Sequence, residues 1–245
     1  MTLLSPIENG SAHQGGARLS RRGLGFALGA PARAFADVRG TDEILGASVE
    51  ARGLPAVVCP NVTASFALVM DDEGTVLFSR GALERSHIAS ITKIMTAIVA
   101  LDSGVPLDST VTVSQEAAQV GESSASLWAG DTLTLEAALA GLMIPSGNDA
   151  AIAIAETLGE GMKTDDSQTA NEAFVAAMNA KAAELGMTET LFSNPHGLDI
   201  GAYDNEMYSC ARDVALMSAY AMGNETFRSI VSKESAQITV TRADG

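Results

Sequence analysis

Basic residues are scarce: 15 lysines and arginines face 30 aspartates and glutamates, for a net charge of −15. Such a chain has no positive surface to offer nucleic acid and is repelled by anionic membranes, so neither is an expected partner. No run approaches the roughly 20 consecutive apolar residues of a membrane-spanning helix. Membrane anchoring is expected only if it is supplied beyond Gly245. There are only two cysteines, Cys59 and Cys210, so one disulfide is permitted, although two cysteines alone do not establish proximity. The three histidines (His13, His87, His196) are scattered, and neither C-x-x-C nor H-E-x-x-H occurs. No metal site and no cofactor is implied.

An apolar fraction of 47% is ample for a buried core, and 245 residues fit one large domain or two small ones. The first 36 residues differ in charge from the rest, with Arg18, Arg21, Arg22 and Arg33 against Glu8 alone, which leaves −18 on residues 37–245. They follow the order of an export signal: Ser20-Arg21-Arg22, a mildly apolar Gly23 to Ala32, then Ala34-Phe35-Ala36 as a small-residue cleavage site. Cleavage is expected after Ala36, and the paired arginines suggest the twin-arginine route. A basic tail without structure is the plainer alternative. Residues 37–61 then read as a Gly- and Pro-punctuated lead-in, and 62–245 as the main domain, incomplete at its C-terminus.

Ser65 to Met70 and Thr75 to Ser79 are β-prone runs around Asp71-Asp72-Glu73-Gly74, which predicts a hairpin. A helix follows from Ile91 to about Asp102, apolar on nearly every face and therefore placed at the centre of the core. Val111 to Val113 reads as a short strand, and Leu135 to Met143 as a helix entered at Thr134 and ended by Pro145. Further helices are expected over Ala150 to Leu158, from the capping box Thr169-Ala170-Asn171-Glu172 to Leu185, and over Cys210 to Met222 with Ser209 as cap. Phe227 to Val231 adds a turn and Gln237 to Thr241 a terminal strand. That is too little sheet for so many helices.

Within the apolar helix, Ser90 and Lys93 stand three residues apart, on one face. A serine with its own base is a candidate nucleophile. For Lys93 to act as a base near neutral pH its pKa must fall by about 3 units, or about 4 kcal/mol. Burial drives that shift, and the helix N-terminus favours a developing serine alkoxide by at most about 2 kcal/mol. A capping serine followed by a surface lysine is the ordinary alternative. Ser146-Gly147-Asn148 adds a second hydroxyl able to relay a proton and an amide able to hold a substrate carbonyl and the lysine side chain. S-x-x-K followed by S-x-N is the motif order of penicillin-binding proteins and β-lactamases.

The stretches SFALVMDDEGTVLFSR, IASITKIMTA, SLWAGDTLTLEAALAGLMIPSGNDAAIAIAE, LFSNPHGLD and YSCARDVAL carry the resemblance further. The chain resembles the low-molecular-mass penicillin-binding proteins, serine-type D-Ala-D-Ala carboxypeptidases of the peptidase S11 family, over almost everything from Ser65 to Asp213. The resemblance implies an α/β (α+β) fold of the β-lactamase/transpeptidase type, an antiparallel sheet flanked by helices with an all-helical subregion. It implies Ser90 as acyl-forming nucleophile, Lys93 as general base, Ser146 as proton relay and Asn148 as the residue that binds substrate and orients the lysine. The Ser90 backbone N–H would serve as an oxyanion donor. The implied substrate is a peptidoglycan stem peptide ending in D-Ala-D-Ala, with β-lactams as covalent inhibitors and an exported, extracytoplasmic location at the cell wall or surface. His196, in the NPHGLD turn, is then structural rather than a triad base.

The family's third motif, K-T-G, does not occur. Lys163-Thr164 is the near match, with Asp165 in place of the glycine that lets substrate approach the strand backbone. Truncation before K-T-G is the simplest expectation, with C-terminal sheet strands missing and little carboxypeptidase activity from residues 1–245 alone. Met207 stands where relatives often carry histidine, which is expected to affect packing more than chemistry. Two alternatives stay open: a non-catalytic penicillin-binding or sensor module, and a serine β-lactamase, against which the lack of E-x-x-L-N after Ser146 argues.

Overall fold

The computed structural model describes residues 15–20, 41–53, 62–203 and 206–243. The hairpin forms as β4 (Ala67–Met70) and β5 (Val76–Arg80), antiparallel, with a register shift between Val69 and Met70. Its turn is shaped by Asp71, whose Oδ1 accepts from the N–H groups of Glu73 at 3.0 Å and Thr75 at 2.7 Å. Two-residue strands β2 (Glu43–Ile44) and β3 (Ala47–Ser48) and the short helix α1 (Val49–Arg52) come from the expected lead-in. They extend the sheet in the order β3-β2-β5-β4. A buried ion pair fixes them: Arg80 Nη2 lies 2.7 Å from Asp42 Oδ2, both side chains almost wholly enclosed. Residues 41–53 are thus part of the fold rather than a bare connection.

The helical part is built around α2 (Lys93–Asp102), α4 (Leu135–Met143), α5 (Asn148–Gly159) and α6 (Ala170–Glu184). In α5, Ala150 through Ala155 are all fully enclosed, which is why that helix shows no polar stripe. Each such apolar side chain larger than alanine contributes about 1.5–3 kcal/mol on burial. Local capping sets the ends: Thr134 Oγ1 accepts from Ala137 N–H at the start of α4, and Thr169 and Glu172 form the reciprocal box that opens α6. The helix α7 (Ala211–Gly223) departs from expectation, since its cap position is Cys210 with no side-chain cap bond. Ser209 is committed elsewhere, 2.8 Å from Thr190 Oγ1. After α7 come α8 (Glu225–Val231), capped by Asn224, and β8 (Ser235–Val240).

Strands β6 (Thr110–Thr112) and β7 (Thr132–Thr134) pair with each other, and α3 (Gln115–Gln119) lies between them in sequence. The first strand, β1 (Gly15–Ser20), pairs antiparallel with β8 over six residues, from Gly15 opposite Val240 to Ser20 opposite Ser235. The remainder of the expected export signal lies outside the described residues. Among the described residues no helix is long and apolar enough to cross a membrane. The mixed fold expected from the sequence is present, with more strands than the pattern predicted: β2, β3 and β7 are two or three residues long, too short to show a period, and β1 lies in the segment read as an export signal.

Candidate active site

The helix expected from Ile91 begins as a tight 3-10 turn, Ala89–Thr92, that runs directly into α2. This break separates the two candidate groups by environment. Ser90 lies on the turn, exposed, whereas Lys93 opens α2 and is 1% exposed. The Lys93 Nζ sits 2.9 Å from Ser90 Oγ and donates to the His196 carbonyl at 2.8 Å. Burial brings the Lys93 pKa down from 10.5 to about 7, against the opposing pull of the Asp149 carboxylate. A surface lysine after a capping serine is therefore excluded.

His196 enters the site through its backbone. Its turn is tied by Asn194, whose Oδ1 accepts from His196 N–H at 3.2 Å and Gly197 N–H at 2.7 Å and whose Nδ2 donates to Leu198 O at 2.8 Å. Thr96, one turn along α2, donates to the Pro195 carbonyl. The His196 ring is enclosed, packs edge-on against Tyr203 at 4.5 Å and accepts from Leu198 N–H through Nδ1, leaving Nε2 unpartnered. Burial, with Lys93 adding a smaller push, lowers its pKa to about 3. The ring stays neutral at physiological pH.

Gly197 is where this turn meets the candidate nucleophile. At φ +91° it adopts a left-handed backbone, and a Cβ there would fall 1.9 Å from the Ala89 carbonyl oxygen. Ala89 itself, immediately before Ser90, has φ +45°. Strained backbone beside the candidate nucleophile persists because the surrounding contacts over-determine it.

Ser146-Gly147-Asn148 joins α4 to α5. Ser146 is half-buried with φ +63°, left-handed without being glycine. Gly147 N–H donates to Gly141 O at 3.0 Å and Asn148 N–H to Ser123 O at 2.8 Å. Asn148 is 1% exposed. Its Nδ2 donates to Gly121 O at 3.0 Å, while its Oδ1 has no partner. The hydrogen bonds of the Lys93 amine go to Ser90 and His196, not to Asn148. The charge that reaches Lys93 from this side is that of Asp149, the first acidic residue of α5.

Lys163 and Thr164 lie in the loop after α5, where Lys163 pairs with Glu160 at 3.1 Å and Thr164 N–H donates to Gln168 at 3.2 Å. Neither bonds to the Ser90 turn. His87 pairs with Asp199 at 2.9 Å on the surface. Met207 is buried with its sulfur 3.8 Å from the Thr92 hydroxyl, a packing contact beneath the Ser90 turn. The Cys210 thiol is free and buried, and Cys59 lies outside the described residues. A cavity of about 460 Å³ beside Thr134, Lys233 and Ile238 includes none of the residues named for catalysis. Sequence reasoning missed the His196 carbonyl and Asp149. For a carbonyl no side-chain signal exists, whereas the acid directly after S-G-N could have been questioned.

Comparison with known proteins follows the same line. The family model for D-alanyl-D-alanine carboxypeptidase, peptidase S11, matches residues 55–243. The chain is 36% identical over 220 residues to a D-alanyl-D-alanine carboxypeptidase of Streptomyces sp. strain K15, covering 86% of this chain and 72% of that protein. It is 39% identical over 158 residues to the D-alanyl-D-alanine carboxypeptidase DacF of Bacillus subtilis, covering 63% of this chain and only 37% of that relative. Among solved structures, the Streptomyces K15 DD-transpeptidase superposes with a TM-score of 0.62 at 34% identity, covering 71% of this chain and 66% of that one. The D-alanyl-D-alanine carboxypeptidase from Mycobacterium tuberculosis H37Rv gives a TM-score of 0.62 at 34% identity, covering 72% and 62%.

Proposed function

The chain belongs to the peptidase S11 family, and we propose that it acts as a serine-type D-Ala-D-Ala carboxypeptidase on peptidoglycan stem peptides. The observation that carries this reading is the contact between an exposed serine hydroxyl and a buried lysine amine, 2.9 Å apart, with the lysine pKa brought down to about 7. At that pKa about half the molecules hold a neutral amine at pH 7, so the base is available without a second titrating group.

Ser90 Oγ attacks the carbonyl of the penultimate D-alanine while its proton passes to Lys93 Nζ. The Ser90 backbone N–H, at the start of the helical turn, donates to the oxyanion. The peptide C–N bond then breaks, and the departing D-alanine nitrogen receives the proton through the Ser146 hydroxyl. Water attacks the resulting ester, returning the Ser90 hydroxyl and releasing the shortened peptide. The unpartnered Asn148 Oδ1 is an acceptor left open for a substrate N–H. β-Lactams enter the same sequence by opening their ring amide onto Ser90, and such a substrate places the working protein outside the cytoplasm, at the cell wall.

Incubation with a fluorescent penicillin, followed by mass analysis of the peptide containing Ser90, tests the reading. An adduct on Ser90 that is absent from Ser90→Ala is expected. No adduct, or one that survives Ser90→Ala, refutes it.

A further inference from the structure

Asp149 is a buried carboxylate that the proposed chemistry does not use. It is 2% exposed, and both oxygens are fully engaged. Oδ1 accepts from Ala125 N–H at 2.9 Å and Ala150 N–H at 2.8 Å; Oδ2 accepts from the Ser124 hydroxyl at 2.6 Å and Leu127 N–H at 3.1 Å. Ser124 Oγ accepts in turn from Ser126 N–H at 2.8 Å. One carboxylate thus gathers residues 124–127 onto the first turn of α5, and the preceding residues of the same loop, Gly121 and Ser123, accept from Asn148.

The fit is close. A Cβ on Gly147 would lie 2.6 Å from Asp149 Oδ1 and 2.9 Å from Ala125 N, so glycine between Ser146 and Asn148 is required by this clamp. Both segments hold a serine in left-handed backbone, Ser126 at φ +62° and Ser146 at φ +63°. Such conformations last where neighbouring bonds fix them, and Asp149 bonds the first segment from a position three residues beyond Ser146.

We propose that Asp149 is a positioning residue of this site: its carboxylate clamps the 121–127 loop against the Ser146-Gly147-Asn148 turn and so holds Ser146 and Asn148 in place for Ser90 and Lys93. The inference deepens the acyl-enzyme reading and rests on it. The same carboxylate supplies the negative field at the Lys93 amine, where the other titratable group among the described residues is His196, neutral on the facing turn.

The test is the rate of Ser90 acylation by a fluorescent penicillin as a function of pH in the wild type, Asp149→Asn and Ser124→Ala, together with amide hydrogen exchange at Ala125 and Leu127. Asp149→Asn is expected to lower the high-pH plateau on the order of tenfold to a hundredfold. It also speeds exchange at both amides and moves the acid limb to lower pH, because a lysine that loses an anionic neighbour gives up its proton more readily. Ser124→Ala keeps the charge, so its acid limb stays in place while its plateau falls severalfold and its Ala125 and Leu127 amides exchange faster. A wild-type plateau in Asp149→Asn overturns the proposal, as does a lowered plateau with an unmoved limb, which marks a merely structural acid. If Asp149→Asn does not fold, Ser124→Ala decides: an unchanged plateau with unchanged exchange overturns the clamp. A wild type that takes no label refutes the acyl-enzyme reading instead, while amide exchange still reports whether the clamp exists.

Discussion

Set beside the Ser146-Gly147-Asn148 turn, the turn that carries Ser90 is held by neutral groups. Carbonyls of Pro195 and His196 accept from Thr96 and Lys93, and Gly197 abuts the Ala89 carbonyl. On the opposite side an anion does the holding, with Asp149 occupied by backbone and hydroxyl donors. Both sides contain a serine on or beside left-handed backbone, and both need a glycine where a neighbour comes too close for a Cβ. The difference is what a lysine base requires. A carboxylate paired directly with Lys93 would keep it protonated, whereas carbonyl partners within a dry pocket let burial dominate. The anion is kept one layer back, where four donors absorb its charge.

The largest way to break this contrast is to remove the proposed base. Lys93→Ala is expected to slow acylation about a thousandfold, measured as the rate of fluorescent penicillin labelling. A drop of only a few-fold would shift the proton acceptor to another group. The two glycines come next. Gly197→Ala drives a methyl into backbone at 1.9 Å on a residue with φ +91°, and thermal melting is expected to register a loss of about 3 kcal/mol or more. Gly147→Ala meets its nearest neighbours at 2.6–2.9 Å, one of them a side-chain oxygen, so about 1–2 kcal/mol is expected. A reversed order would mean that the neutral turn is the softer of the two.

A smaller effect sharpens the comparison through pH. The His196 pKa falls from 6.5 unfolded to about 3 folded, so between those values the unfolded chain binds the extra proton. Stability from this residue is therefore complete above pH 6.5 and lost as pH falls toward 3, by up to about 3–5 kcal/mol at the acid end but under about 2 kcal/mol at pH 5.5. In denaturant titrations His196→Gln should flatten this dependence relative to the wild type. Equal slopes for both proteins would show that the imidazole is free to charge in the fold.

Much of this site was legible in the sequence. Ser90, Lys93, Ser146 and Asn148 could be named because their chemistry sits in side chains at short spacings, and the helices of the core announced themselves by apolar content and by caps such as Thr134 and Thr169. Three features were not legible. The His196 contribution is a carbonyl, and every residue has one. The partner of Asn148 is Gly121, 27 positions away on a loop without periodic pattern. Ser209 reads as a helix cap from local sequence, yet a tertiary neighbour, Thr190, takes its hydroxyl. The strands at Glu43–Ile44 and Ala47–Ser48 escaped for a related reason: their place is fixed by the distant Asp42–Arg80 pair rather than by alternation.

The most direct test of the central claim, that Ser90 is activated by a lysine whose pKa is lowered by burial among carbonyls, is the pH dependence of Ser90 acylation in the wild-type chain. The account predicts a single acid limb centred near pH 7, the value set by the buried Lys93 amine. A limb centred near the ordinary lysine value of about 10.4, or a rate that does not vary with pH, would contradict it.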